Sequence, residues 1–188
     1  MTAKADGRYE LLIGSGSSRD RRVAIDNRRE WACLTTLDQN EDHHPDVVHD
    51  LEELPYPFPD DTFDEVHAYE ILEHIGQQGD FRTFFAQFSE IWRILKPGGF
   101  LAATCPSYRS MWAWGDPSHR RVITSGSLVF LDQGEYVKQI GKTAMSDFRF
   151  CYRADFEVVS VQEDAQNLVF VIRAIKPSRL RRLRGGVD

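Results

Sequence analysis

Apolar positions along this chain gather into short runs, broken by polar residues, glycine or proline, with one longer periodic exception. Five runs, at 9–13, 34–37, 46–49, 63–69 and 100–105, have strand length and stop at Gly14, Asp38, Asp50, Glu70 and Pro106. Mostly apolar runs of this kind fit parallel strands covered on both faces. Two more, at 156–161 and 168–175, are joined by the short polar segment 162–167, which predicts an antiparallel hairpin at one edge. The exception is 81–95, where Phe81, Phe84, Phe85, Phe88, Ile91, Trp92 and Leu95 repeat at the spacing of one helix face. Pro97-Gly98-Gly99 stops that helix. Glu70 to His74 reads as the start of another helix, with Glu70 and Glu73 at its positive dipole end. The stretches 17–29 and 108–136 carry no clear period, and 54–59 is too rich in proline for regular structure. Seven strands interleaved with helical segments predict an α/β fold, a mostly parallel sheet with an antiparallel terminal hairpin.

Composition narrows the class. The chain has 188 residues, 41% hydrophobic, enough for one domain with a real core. The pattern places that domain at 1–176 and reads 177–188 as a basic, flexible tail. A net charge of −6 opposes the phosphate neutralisation that duplex DNA binding requires. Cys33, Cys105 and Cys151 are far apart and form no Cys-x-x-Cys pair, so the sequence calls for neither a metal site nor a disulfide framework. Residues 1–10 are polar, without a signal-peptide core, and no apolar run reaches membrane-spanning length. The expectation is a cytoplasmic protein without a membrane partner.

The chemistry concentrates where the strands end. Gly14-Ser15-Gly16 follows the first strand, and such a turn lets the backbone approach a nucleotide. Asp38 ends the second strand, where a carboxylate can accept from both hydroxyls of a ribose. Asp50 and Leu51 end the third, suited to an adenine amino group and ring nitrogen, and Glu70 ends the fourth. In an open α/β sheet all of these fall in the crevice at the carboxyl edge. A dinucleotide reading fails at Arg19, which stands where a third glycine would receive a pyrophosphate. An acid-lined cleft suits a cationic, phosphate-free cofactor better.

Together these residues resemble the class I S-adenosylmethionine-dependent methyltransferases. The likeness runs through Leu12-Ile13-Gly14-Ser15-Gly16, Thr36-Leu37-Asp38 and Asp50-Leu51-Glu52-Glu53-Leu54-Pro55. It continues through Glu70-Ile71-Leu72-Glu73-His74-Ile75 and Arg93-Ile94-Leu95-Lys96-Pro97-Gly98-Gly99. The resemblance implies a Rossmann-like methyltransferase fold with S-adenosyl-L-methionine as cofactor. It implies that Gly14, Ser15 and Gly16 face the methionine part and that Asp38 binds the ribose. Asp50 and Leu51 would then hold the adenine, and Glu70 would lie near the reacting face. Arg19 becomes a candidate for the cofactor carboxylate.

Beyond Pro106 the likeness loosens, and Trp112, Trp114, Asp116, His119 and Arg120 form the most unusual stretch. It reads as a lid over the pocket mouth, with the two tryptophans clamping a flat acceptor. His119 is the first candidate general base, with Asp116 orienting it, and His74 is the second. The expected reaction is methyl transfer to an O or N nucleophile of a small-molecule or nucleotide-like acceptor. The competing reading is a non-catalytic S-adenosylmethionine-binding module or partner subunit.

Overall fold

The computed structural model describes residues 7–180. Its strands are β1 (Glu10–Ile13), β2 (Leu34–Asp38), β3 (Val47–Val48), β4 (Phe63–Tyr69), β5 (Leu95–Pro106), β6 (Phe156–Glu163) and β7 (Asn167–Ala174). They form one sheet in the order β3-β2-β1-β4-β5-β7-β6. The five N-terminal strands run parallel, and β7 lies antiparallel between β5 and β6. The order reverses direction between β1 and β4, so a crevice opens at their carboxyl ends, beside Gly14 and Glu70. The predicted α/β class and terminal hairpin are both present. One boundary moved for a visible reason: β5 begins at Leu95, which pairs with Phe63 before the register shifts to Glu65 opposite Phe100.

The predicted helix is α1 (Phe81–Ile94). Asp80 caps it, accepting from the Arg82 and Thr83 backbone N–H groups at 3.1 Å each. Phe85, Phe88, Ile91 and Ile94 face the core, against Val66, Leu101, Phe156 and Phe170 of the sheet. The expected helix at Glu70 is absent. Glu70 takes a left-handed backbone with φ of 52°, and only a 3-10 turn, Leu72–His74, follows. A positive φ at a non-glycine residue breaks the helical hydrogen-bond ladder, so Glu73 turns inward rather than lying on a helix surface. The stretch after β5 is not wholly irregular. It holds short helices α2 (Trp112–Gly115), α3 (Ser125–Leu128) and α4 (Gln133–Gln139).

The second face of the sheet is covered in a different way. Between β1 and β2 the chain forms no helix. It crosses the sheet as an irregular strap, packing Val23, Ile25 and Trp31 on Leu12, Tyr69, Ala102 and Val171. Under the strap lies a buried ionic cluster. Arg21 reaches Glu10 at 2.5 Å and also Glu65, and Arg28 bonds the same two carboxylates. His67 adds a bond from Nε2 to Glu65 at 2.9 Å, and its Nδ1 lies 2.6 Å from the Tyr69 hydroxyl. Burial holds His67 below its usual pKa, hence neutral. Its one N–H therefore donates to Glu65, and Nδ1 accepts from Tyr69.

The first residues of the expected flexible tail are held in the fold. Ser178 and Leu180 are buried, and Arg179 bonds Asp155 at 2.7 Å and Asp132 at 2.6 Å. The remainder of that predicted tail, 181–188, lies outside the described residues. Among the described residues no helix is long and apolar enough to cross a membrane.

Candidate active site

The glycine turn owes its shape to a neighbour. Gly14 has φ of 57°, and a Cβ there would sit 2.3 Å from Ile71 Cγ1. Ile71 follows Glu70, so the absence of a side chain at 14 lets the end of β4 close on the end of β1. The Ser15 backbone N–H bonds the Leu37 carbonyl at 3.2 Å. The Gly16 N–H donates to Asp38 Oδ2 at 2.7 Å, tying the turn to the tip of β2. The other oxygen of Asp38 accepts from the Asn40 N–H at 2.8 Å and faces His43 Nδ1 at 3.1 Å. Burial alone would raise the Asp38 pKa, but these hydrogen bonds hold it below the usual carboxylate value.

Asp38, Asp50, Leu51, Glu70 and Gly14 line one cleft of about 490 Å3, together with Asn40, His43 and Arg120. Ser15 and Gly16 line an adjoining cavity of about 320 Å3 with Ser17, Arg22 and Tyr69; Gly14 and Glu70 border both. All seven cofactor candidates thus line these two adjoining cavities. Asp50 also has a local task, because its Oδ1 caps the Glu52 N–H at 2.8 Å. Arg19 does not serve the crevice as expected. Its guanidinium bonds the carbonyls of Gly16, Ser18, His43 and His44 at 2.9–3.1 Å and braces the two loops. Arg22, over the Tyr69 ring at 5.5 Å, is the guanidinium that borders the cavity.

A third cavity of about 340 Å3 opens on the far side of Glu70, lined by Glu73, His74, Trp112, Asp116 and His119 among others. The lid candidates are pinned rather than free. The Arg120 and Arg121 N–H groups donate to the Glu73 carbonyl at 2.9 and 3.1 Å. Arg120 bonds Glu52 at 2.7 Å at the rim of the first cleft. The expected tryptophan clamp is open: Trp112 borders the cavity, and Trp114 is 69% exposed with its Nε1 on the Tyr108 carbonyl.

Asp116 is not the partner that orients His119. It spends Oδ1 on the Ser118 N–H at 2.8 Å and hydroxyl at 2.6 Å, and its other oxygen is 3.9 Å from His119 Nε2. His119 Nδ1 instead meets the Trp112 carbonyl at 2.9 Å, and His74 Nδ1 meets the Ser118 carbonyl at 3.2 Å. A carbonyl only accepts, so each Nδ1 carries a proton, and in the neutral ring the lone pair is on Nε2. Glu73, which the sequence assigned to a helix dipole, is the residue that sequence reasoning missed. It is buried, and no nitrogen or oxygen of another described residue hydrogen-bonds it; the Cys105 thiol and its own backbone N–H lie nearest. Burial, with the charges of Glu70 and Asp116, pushes its pKa up to about 7. Its sequence signals were its place directly before His74 and within the Glu70–Ile75 stretch that carries the resemblance.

Comparison with known proteins bears on this geometry. Residues 13–103, from the end of β1 almost through β5, match the family model described as a methyltransferase domain. Over that span, just under half of the chain, the protein is similar to methyltransferase domains. A sterol 24-C-methyltransferase of Pneumocystis carinii is 24% identical over 110 residues, 58% of this chain and 26% of that protein. The match therefore spans about a quarter of that relative's length. A SAM-dependent methyltransferase from Archaeoglobus fulgidus superposes with a TM-score of 0.56 at 16% identity, covering 90% of this chain and 87% of the other. One from Mesorhizobium loti gives 0.53 at 15% identity, covering 92% and 93%. At these identities the structural likeness shows the fold alone.

Proposed function

We propose that this methyltransferase binds S-adenosylmethionine along the crevice from Asp50 to Arg22 and passes its methyl group to an acceptor in the cavity beyond Glu70. The observation that carries the reading is the bond from Gly16 N–H to Asp38. It joins the glycine turn to the acid at the β2 tip and so builds one acid-lined crevice at the sheet's switch point. The adenosine end fits the cleft of Asp38, Asp50 and Leu51, with Asp38 on the ribose. The methionine end fits the adjoining cavity, where Arg22 meets the carboxylate. Glu70, which borders all three cavities, faces the sulfonium.

In the reaction an O or N lone pair attacks the methyl carbon while the C–S bond breaks, its electron pair neutralising the sulfonium. The acceptor's proton leaves to His119 Nε2, which the Trp112 carbonyl holds in the accepting tautomer; His74 is the second candidate. Asp116 shapes the Ser118 turn beside them. The cofactor is already activated, so orientation and exclusion of water are the protein's main contributions. A third cavity flanked by histidines favours catalysis over a mere cofactor-binding module. Its size, about 340 Å3, suits a small molecule or one nucleotide-like group. The sterol-acting relative is in keeping with a small-molecule acceptor.

Calorimetry tests the cofactor half. Parent protein is expected to bind S-adenosylmethionine and S-adenosylhomocysteine, and Asp38→Ala to weaken both about tenfold or more, a loss of about 1.4 kcal/mol. Arg22→Ala is expected to weaken S-adenosylhomocysteine but leave 5′-methylthioadenosine, which has no carboxylate, unchanged. Absence of cofactor binding at about millimolar concentration would overturn the reading.

A further inference from the structure

Glu73, His74 and His119 converge in a way that a proton relay alone does not explain. Each offers one ligand atom, and these atoms lie within 4.8 Å of one another. The Glu73 carboxylate is 2% exposed and borders the acceptor cavity; no nitrogen or oxygen of another residue hydrogen-bonds it, and its near neighbours are the Cys105 thiol and its own backbone N–H. Its separation from His119 Nε2, 4.0 Å, is too long for a hydrogen bond. Two ligand atoms on a tetrahedral metal with bonds of about 2.0–2.1 Å lie about 3.3–3.4 Å apart, so this pair would close by under about 1 Å on binding an ion. Both imidazoles donate Nδ1–H to backbone carbonyls, at 2.9 and 3.2 Å. That is the outer-shell bond that fixes a ligating histidine with its Nε2 lone pair toward a metal. The rings stand at 78° with centroids 4.7 Å apart, so their edges approach the same space without stacking. The three ligands are held by two separate stretches, the 3-10 turn after β4 and the segment after α2. The bonds from Arg120 and Arg121 N–H to the Glu73 carbonyl lock those stretches together.

We infer that Glu73, His74 and His119 form a binding site for a divalent transition-metal cation, with its open coordination positions facing the acceptor cavity. Two imidazoles and one carboxylate suit zinc, cobalt, manganese or iron(II) and disfavour calcium and magnesium, which take oxygen ligands. Closing three ligand atoms onto one ion needs side-chain movement of about 1 Å.

Resting on the methyl-transfer reading, the site also selects the acceptor class. A cation lowers the pKa of a bound hydroxyl, which after losing its proton still has lone pairs for attack on the methyl carbon. A bound amine has its single lone pair committed to the metal. The site therefore points to a hydroxyl acceptor. With the cation in place the two Nε2 atoms are ligands, and the hydroxyl proton leaves to water.

The test uses the full chain, stripped with a chelator and titrated with cobalt(II). Visible d–d absorption and calorimetry are expected to report one saturable site per chain. His119→Ala, His74→Ala and Glu73→Gln are each expected to weaken it tenfold or more, while S-adenosylhomocysteine still binds His119→Ala and Glu73→Gln. His119→Gln, closer in volume, replaces His119→Ala if that variant fails to fold. No saturable cobalt or zinc binding at about 1 mM overturns the site, as does parent-like affinity in the variants. Cobalt binding that the variants abolish, in a protein that ignores S-adenosylmethionine, keeps the cation site and removes the methyl-transfer reading.

Discussion

Gly14 and Gly16 share a left-handed backbone yet carry different burdens. At Gly16 nothing lies within 4 Å of a built Cβ, so Gly16→Ala meets only the backbone penalty of about 1–2 kcal/mol. At Gly14 the Cβ would also strike three atoms of Ile71, the nearest at 2.3 Å. Gly14→Ala is therefore expected to lower the melting temperature further than Gly16→Ala. It should also weaken S-adenosylhomocysteine more, because Ile71 lines the cleft. Thermal melts and calorimetry on the two variants check the order, and equal effects would mean that Ile71 is not what excludes a side chain. The glycines were legible in the sequence because a turn after an apolar run needs them. Their reason for being glycine was not, since Ile71 is 57 positions away. Glu73 shows the same limit. Its neighbours spell a helix start, and only the left-handed Glu70 before it turns the carboxylate into the cavity.

At the level of elements, strands β1 to β7 and α1 were readable because each carries its own apolar pattern. The strap between β1 and β2 was not, because it lacks a periodic stripe and depends on partners remote in sequence. Arg21 pairs with Glu65 across 44 positions. The ionic cluster predicts a distinct acid response. Burial acts to raise the Glu65 pKa, but the His67 bond and the Arg21 and Arg28 charges outweigh it and hold it at about 2. A carboxylate depressed in the folded state adds stability above its unfolded value of about 4.5 and loses it as pH falls toward 2. His67, held neutral by burial, works in the same direction: protonation of the unfolded chain lowers stability as pH drops below about 6.5. Urea unfolding from pH 8 to pH 2 is expected to show stability falling in both windows. In Glu65→Gln the decline between pH 4.5 and 2 should be shallower, by up to about 1.4 kcal/mol per pH unit. The variant should also be less stable at neutral pH by about 3–5 kcal/mol, because Arg21 and Arg28 lose a buried partner. Parallel pH profiles for parent and variant would remove Glu65 as the acid trigger.

For the whole molecule, the cofactor half follows a family pattern that is written locally, whereas the closure of the C-terminal end is written in long-range charge. Asp155, directly before β6, is fully buried. It accepts from the Gln133 N–H at 3.0 Å and from the Arg179 backbone N–H, Nε and Nη2 at 2.8, 2.9 and 2.7 Å. Arg179 Nη2 reaches Asp132, the N-cap of α4, as well. One guanidinium thus fastens the chain beyond β7 to α4 and to β6. The sequence hid this, because a run of arginines after a proline reads as a solvated tail. Arg173 supplies the contrast. It pairs with Glu157 across β6 and β7, but both side chains are about 45% exposed. Solvent screens that pair, so Arg173→Ala is expected to cost less than about 1 kcal/mol. Arg179→Ala leaves Asp155 as a buried carboxylate without its cation and is expected to cost about 3–5 kcal/mol. Denaturant unfolding at pH 7 measures both, and a cost at Arg179 no larger than at Arg173 would place the closure of this end in the packing of Leu180 instead. Because Asp155 loses its need for a partner when it has no charge, Asp155→Asn combined with Arg179→Ala should recover part of the loss. A double-mutant cycle reads that recovery directly, and additive losses would show that the two residues do not act as a pair.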